Sequence, residues 1–287
     1  MKALFKVIKE GVYASYQDLG RPGYRKFGMP VAGPMDKYAF QMGNKIVSNS
    51  PNSLALELFL GGLSLEVLDT HKLVISGANL EATLDGRNPV ELWTSFLVIK
   101  GQILSFNSPS KGSIAYIIPQ GGFCADEVMN SSSAYPRADI GYVLKPNMIL
   151  YGRDTSYTNK RSRLIPSLIP TYENDVTVNV WGSPHLALFE TSSIDTFFNS
   201  IYTYKAGNRM GYYLDGPELK FVSKGDILSE ATQFGTIQIT NNGQPVVLMA
   251  DAHTVGGYAT MGKIVDEDLW KISQLRSGGK IRFQWRE

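Results

Sequence analysis

The chain has 287 residues, 43% of them apolar and 19% charged, with a formal net charge of +2. That length supports one large or two medium domains with full cores, and without a Lys/Arg run of five the chain lacks the electrostatic footprint of a nucleic-acid binder. The single cysteine, Cys124, excludes an intramolecular disulfide and a cysteine-rich zinc site; with no apolar stretch long enough for a signal segment or a membrane span, a cytoplasmic protein is expected.

In chain order, the first unusual segment is residues 17–46, QDLGRPGYRKFGMPVAGPMDKYAFQMGNKI. Gly20, Gly23, Gly28 and Gly33 alternate with Pro22, Pro30 and Pro34, so the loop has little conformational freedom to lose, as a preorganised site requires. Pro34 stands where a helix would begin, and free N–H groups at a helix N-terminus bind anions. Arg21 would clamp a carboxylate or phosphate there. The plainer alternative is a covering loop in which Asp18 and Arg21 pair with each other.

A helix is expected over about 35–48. Strands are expected at LSLEVL (63–68), KLVISG (72–77), SIAYIIP (113–119), VTVNVWG (176–182), GTIQIT (235–240) and PVVLMA (245–250), all short, rich in β-branched residues and bounded by turn formers. Their recurrence favours barrels or sandwiches over βαβ units. The polar stretch 152–175 makes the best boundary, dividing the chain into 1–165 and 166–287. Further helices are expected at 186–200 and at 266–275, where Asp266, Glu267 and Asp268 suit an N-terminus. KGQILSF (100–106), KGDILSE (224–230) and SGGKIRF (277–283) echo one another, through chance or through two halves of related build.

Three further stretches carry groups suited to chemistry. In ADAHTVGGYATMGKI (250–264), Asp251, His253 and Thr254 follow an apolar strand, and Gly256–Gly257 are expected to turn the chain. His253 is a candidate base, or simply a surface histidine on a hairpin. In NRMGYYLDG (208–216), Arg209 and Asp215 flank a strand-like run. Such a pair is usually a weak surface salt bridge. Glu57 lies in an apolar segment, where burial demands a partner or a raised pKa. His71 and His185 stand alone and read as structural. No phosphate loop, zinc helix, nucleophile elbow, dinucleotide fingerprint or Met-Lys-Met biotinylation site is present. If ATP or biotin takes part, a partner protein supplies most of the machinery.

Together QDLGRPGY, GMPVAGPMDKYAFQMGNKIV, ALELFLGG, NRMGYYLDG and GTIQITNNGQPVVLMADAHTVGGY follow the order of one family. The chain resembles, over about residues 4–284, the KipA / allophanate hydrolase subunit 2 family, also called the 5-oxoprolinase C subunit, which is biotin-dependent carboxyltransferase-like. The resemblance implies a mainly β protein of two cyclophilin-like β-barrel domains with a few short helices. It implies two partner proteins, one KipI-like and one of the lactam-utilisation type, the assembly opening 5-oxoproline to glutamate with ATP hydrolysis. No tightly bound cofactor and no metal are expected in this chain. Carboxybiotin enters only in the related urea carboxylase chemistry, where a carboxyl group moves to a urea nitrogen. KipA itself relieves inhibition of a kinase by KipI, so a regulatory module is the alternative.

On this reading a small amide substrate would meet Gln17, Arg21, Asp36, Asn44, Glu57, Arg209, Asp215, Thr254, Gly256, Gly257 and Tyr258. Asp18, Asp251 and His253 would act in acid–base work or hold the arginines. The loop 17–34 is expected to form a rigid lip facing residues 250–258. The sequence departs from the family pattern at Ala32–Gly33, where serine-glycine is common. It departs again at His253, where glutamine is usual, with Val255 and Ala259 nearby, and in MNSSSAYPRADIGY (129–142).

Overall fold

The computed structural model describes residues 1–157 and 160–286; Thr158 and Asn159, inside the boundary stretch 152–175, and Glu287 lie outside the described residues. The chain forms two units. One comprises Met1–Arg21 with Ala32–Tyr172, the other Pro22–Val31 with Glu173–Glu287. The glycine- and proline-rich loop is therefore divided between them.

In the first unit, His71–Asn79 and Lys111–Pro119 are buried almost throughout. Their near-continuous apolar runs are what a strand covered on both faces requires. They pair antiparallel at the middle of a five-stranded sheet that also holds Tyr13–Gln17, Ala55–Phe59 and Phe96–Val98. A seven-stranded sheet, with Lys2–Lys9 between Ser64–Val67 and Ile149–Gly152, supplies the remaining strands. The helix Lys37–Ile46 buries Ala39, Phe40 and Gly43.

The second unit is a closed seven-stranded barrel. Its first strand, Asp175–Gly182, pairs in parallel with its last, Lys280–Trp285, and that pairing seals the sheet. Closure removes the exposed edges that invite aggregation. Beside the barrel lies a two-stranded sheet, Asp226–Ala231 with Val255–Tyr258. The helix Thr191–Asn199 packs on the last barrel strand, with Phe197 stacked on Phe283 at a 4.5 Å centroid distance.

The mainly β architecture with few short helices is thus as expected, and each of the six nominated strands forms. The expected helix at 35–48 forms as Lys37–Ile46, and the segment 266–275 holds a 3-10 turn, Asp266–Asp268, followed by the helix Leu269–Ser273. One local expectation changes. The helix after the opening loop starts beyond Asp36, not at Pro34, and the Asp36 carboxylate itself accepts from the Ala39 N–H. Its N-terminal donors are capped by the protein's own carboxylate. Among the described residues no helix is long and apolar enough to cross a membrane.

Candidate functional site

In the first unit the strand Tyr13–Gln17 delivers Gln17 and Asp18 to a buried polar cluster. Asp18 Oδ1 accepts from the Gly20 N–H, Ser131 Oγ and Ser133 Oγ at 2.8, 2.6 and 2.7 Å, and Oδ2 accepts from the Ser132 N–H at 2.7 Å. Arg21, fully buried, donates to the carbonyls of Ser133 and Val128. Both charged side chains therefore grip residues 128–133, where Met129 and Asn130 hold left-handed backbone angles. Neither sequence alternative anticipated this hold on the Asp18 carboxylate by Gly20 and the serines 131–133. The signal was the serine run in MNSSSAYPRADIGY. Gln17 donates to Ser15 Oγ at 3.0 Å, while its buried Oε1 has no partner among the described residues.

A second cluster in the same unit joins Glu57 and Asp36 through Tyr116. Glu57 Oε2 accepts from the Met35 N–H and from Tyr116 Oη, at 2.8 and 2.7 Å, and Tyr116 Oη accepts from the Asp36 N–H. Asp36 Oδ2 accepts from Tyr172 Oη at 3.1 Å. Burial, with these carboxylates nearby, pushes the Tyr116 and Tyr172 hydroxyls well above the usual tyrosine value. Asn44 ties the helix to Ser53 and Asn49. Glu57 thus satisfies the demand for a partner that its apolar segment implied.

In the second unit Arg209 and Asp251 form a buried two-pronged pair, Nε to Oδ2 and Nη2 to Oδ1, each 2.8 Å. Arg209 is joined to Asp251, whereas Asp215 lies exposed at the end of Gly211–Asp215. The segment that follows Asp251 is strapped down: Thr232 donates through its hydroxyl to the His253 carbonyl and through its N–H to that of Thr254. Arg25, from the part of the opening loop that belongs to this unit, donates to the Thr254 carbonyl at 3.4 Å. Partial burial holds the His253 imidazole below the ordinary histidine value, so it is neutral at pH 7.

Gly256 and Gly257 correct the expected turn. They lie within the strand Val255–Tyr258, opposite Asp226–Ala231, and neither has a positive φ. Their glycines answer a need for space. A Cβ at Gly256 would collide with Gln238 Nε2 and stand 2.9 Å from His253 Nε2. Gln238, which sequence reasoning passed over inside an apolar strand, is almost wholly buried beside the nominated residues. Tyr258, at the end of the strand, is partly exposed.

Away from these clusters, a cavity of about 590 Å³ in the first unit is lined by Lys72, Glu91, Phe96, Lys160 and Arg161 among others, and by none of the nominated residues. Among the described residues no cluster of three His, Cys, Asp or Glu is placed to hold a metal ion.

Two buried carboxylate-centred clusters in the first unit, and a barrel that carries a paired arginine and a neutral histidine, set the polar residues of a β-rich protein. A family model for the carboxyltransferase domain, subdomain A and B, matches residues 27–285, and the chain belongs to that family. It is 35% identical over 274 residues to the 5-oxoprolinase C subunit of Haemophilus influenzae, covering 94% of this chain and 87% of the relative. Against the protein of the same name from Escherichia coli it is 33% identical over 290 residues, covering 98% and 90%. The solved urea amidolyase of K. lactis superposes with a TM-score of 0.90 at 28% identity, over 98% of this chain and 18% of that one.

Proposed function

We propose that this chain is the C subunit of an ATP-dependent 5-oxoprolinase, inactive alone and acting with two partners, one KipI-like and one of the lactam-utilisation type. The observation that carries the reading is near full-length similarity, above 30% identity, to two proteins that bear the name of that 5-oxoprolinase component. The chemistry of the second unit supports it. 5-Oxoproline carries a carboxylate beside a lactam. Arg209, oriented by Asp251 through two parallel hydrogen bonds, is suited to that carboxylate. His253, neutral at pH 7, is suited to move a proton at the amide.

In the first unit Asp18 and Arg21 serve as positioning residues for the 128–133 segment, and Asp36, Asn44 and Glu57 hold the helix and its approach in place. The phosphate chemistry of ATP we assign to the two partners, because no phosphate-binding loop occurs in this sequence. The test is 5-oxoproline-dependent glutamate release and ATP hydrolysis by the two partners, with and without this chain. Activity that needs this chain supports the reading, and full activity without it overturns the reading.

A second reading, carboxyl transfer to a urea-like amide, is favoured by the family model and by the urea amidolyase structure. It predicts carboxylation of urea when a biotin carboxylase and a biotinylated carrier are supplied, with no dependence on the lactam-utilisation-type partner.

A further inference from the structure

The cavity of about 590 Å³ in the first unit has a buried cation in its wall. Lys72, on the strand His71–Asn79, is 9% exposed, and its backbone is fixed from both sides. It stands opposite Leu97 in register, and its carbonyl accepts from the Gln120 N–H. Its ammonium donates to the Lys160 carbonyl, a neutral acceptor, and among the described residues no carboxylate pairs with it. A buried charge without a counter-charge costs free energy, and an ammonium has three donors, of which this bond uses one.

Two more cations are fixed beside it. The segment 160–164 runs along the edge of the same sheet. The Ser95 N–H donates to the Ser162 carbonyl at 2.7 Å, the Ser162 N–H to Ser95 Oγ at 2.8 Å, and the Leu164 N–H to the Trp93 carbonyl at 3.0 Å. These bonds hold Lys160 and Arg161 on the cavity wall with Lys72. Glu91 is the acid on that wall, and it pairs with Arg161 at 2.8 Å where both are exposed. Three cations and one carboxylate leave the wall with a charge of +2.

The rest of the wall, including Phe96, Leu84 and Val90, is largely apolar. The volume falls within the range of small-molecule pockets, about 300–1,000 Å³. A single carboxylate would leave one positive charge unmatched. A phosphate monoester brings a charge of about −1.5 to −2 at neutral pH, with three acceptor oxygens, and lysine binds phosphate as a point charge.

We propose that this cavity binds a phosphate monoester with a compact apolar body, with Lys72, Lys160 and Arg161 as its charge partners and Phe96 and Val90 beside the body. The site is one of binding and not of phosphoryl transfer. It uses no residue nominated for amide chemistry, so it stands or falls independently of the 5-oxoprolinase reading.

The test is a titration of phenyl phosphate with the full-length protein at pH 7.5, followed by broadening of the ligand's phosphorus resonance. Saturable binding is expected, at least about tenfold weaker in Lys72→Met, as loss of one charge-assisted hydrogen bond implies. Lys72→Met replaces an unpaired buried ammonium by an apolar side chain of similar length. The melting temperature of the free variant is therefore expected to hold or rise, which separates lost binding from lost folding. Glu91→Gln, at an exposed position, removes the negative charge from the wall and is expected to tighten binding. Benzoate, with the same ring and one charge, and inorganic phosphate, with no apolar body, are both expected to bind more weakly than phenyl phosphate. Binding unaltered in Lys72→Met, or not tightened in Glu91→Gln, places the anion on surface cations elsewhere and overturns the proposal. Benzoate binding as tightly as phenyl phosphate overturns the monoester assignment, and no saturable binding of phenyl phosphate overturns the site.

Discussion

Arg209 and Asp251 are 9% and 5% exposed, and each is the other's charge partner. Removing one member of such a pair strands an ion in a medium that solvates it poorly, at a cost of about 3–5 kcal/mol. Asp251→Ala is therefore expected to lower the unfolding free energy by about 3 kcal/mol or more. Asp251→Asn, which keeps an oxygen acceptor, should lose less. The check is the urea midpoint at pH 7 with the m-value unchanged; a loss below about 1 kcal/mol, the range of exposed pairs, would show that the pair behaves as a surface salt bridge. The sequence offered Arg209 two acids, Asp215 nearby and Asp251 about forty positions on, and spacing cannot choose between them. Barrel pairing of Gly211–Asp215 with Pro245–Leu248 makes the choice, since it brings the ends of those strands together. Gly256 teaches the same point. A glycine in sequence announces either a positive φ or a missing Cβ, and only the neighbours Gln238 and His253 reveal which.

At the scale of single elements, the helix Lys37–Ile46 sets two effects against each other. Gly43 lies inside it, and alanine is the better helix former by about 1 kcal/mol. Yet a Cβ at Gly43 would lie 2.5 Å from Ser76 Oγ and closer still to Ile118 Cδ1, both in fully buried residues. Moving Ser76 also threatens its 2.8 Å bond to the Ala39 carbonyl. Overpacking of this kind costs about 1–3 kcal/mol, so it outweighs the propensity gain. Gly43→Ala is thus expected to lower the melting temperature, and a rise would refute the close helix-on-sheet packing. Asp36→Ala should cost about 2 kcal/mol, the upper end for a lost cap, because Tyr172 Oη loses its acceptor as well; chemical denaturation of the variant measures it. Elements of this kind were legible in the sequence. The helix is expected over about 35–48 and the β-branched segments between turn formers mark strands, whereas the start after Asp36 in place of Pro34 shows only in the structure. What stayed hidden was the partner of each polar residue. Asp18 meets Ser131 and Ser133 more than a hundred positions away, a pairing that no local pattern encodes.

Over the whole molecule, response to acid follows from groups whose charge states differ between folded and unfolded chains. His71 in the first unit is buried, which lowers its pKa despite the bond from its ring to the Asp69 carbonyl. Unfolded, it regains an ordinary value near 6.5 and takes up a proton first as the pH falls. Protons bound preferentially by the unfolded state reduce stability, so the first unit weakens as the pH drops below about 6.5. Asp268 in the second unit behaves differently. Hydrogen bonds from Lys271, and from the backbone and side chain of Asn179, outweigh its burial and hold its carboxyl below the usual value. Its contribution is complete above the unfolded carboxylate value and disappears only as the pH falls through the lower folded one. Between pH 7.5 and 5, then, the His71 contribution should change while that of Asp268 does not. His71→Asn keeps a donor for the Asp69 carbonyl but cannot be charged. It is expected to flatten the pH dependence of the urea midpoint across that interval, whereas Asp268→Asn should lower the midpoint by a constant amount over the same range. If His71→Asn leaves the slope untouched, the acid sensitivity arises elsewhere, and His253, whose value partial burial also lowers, becomes the group to replace next.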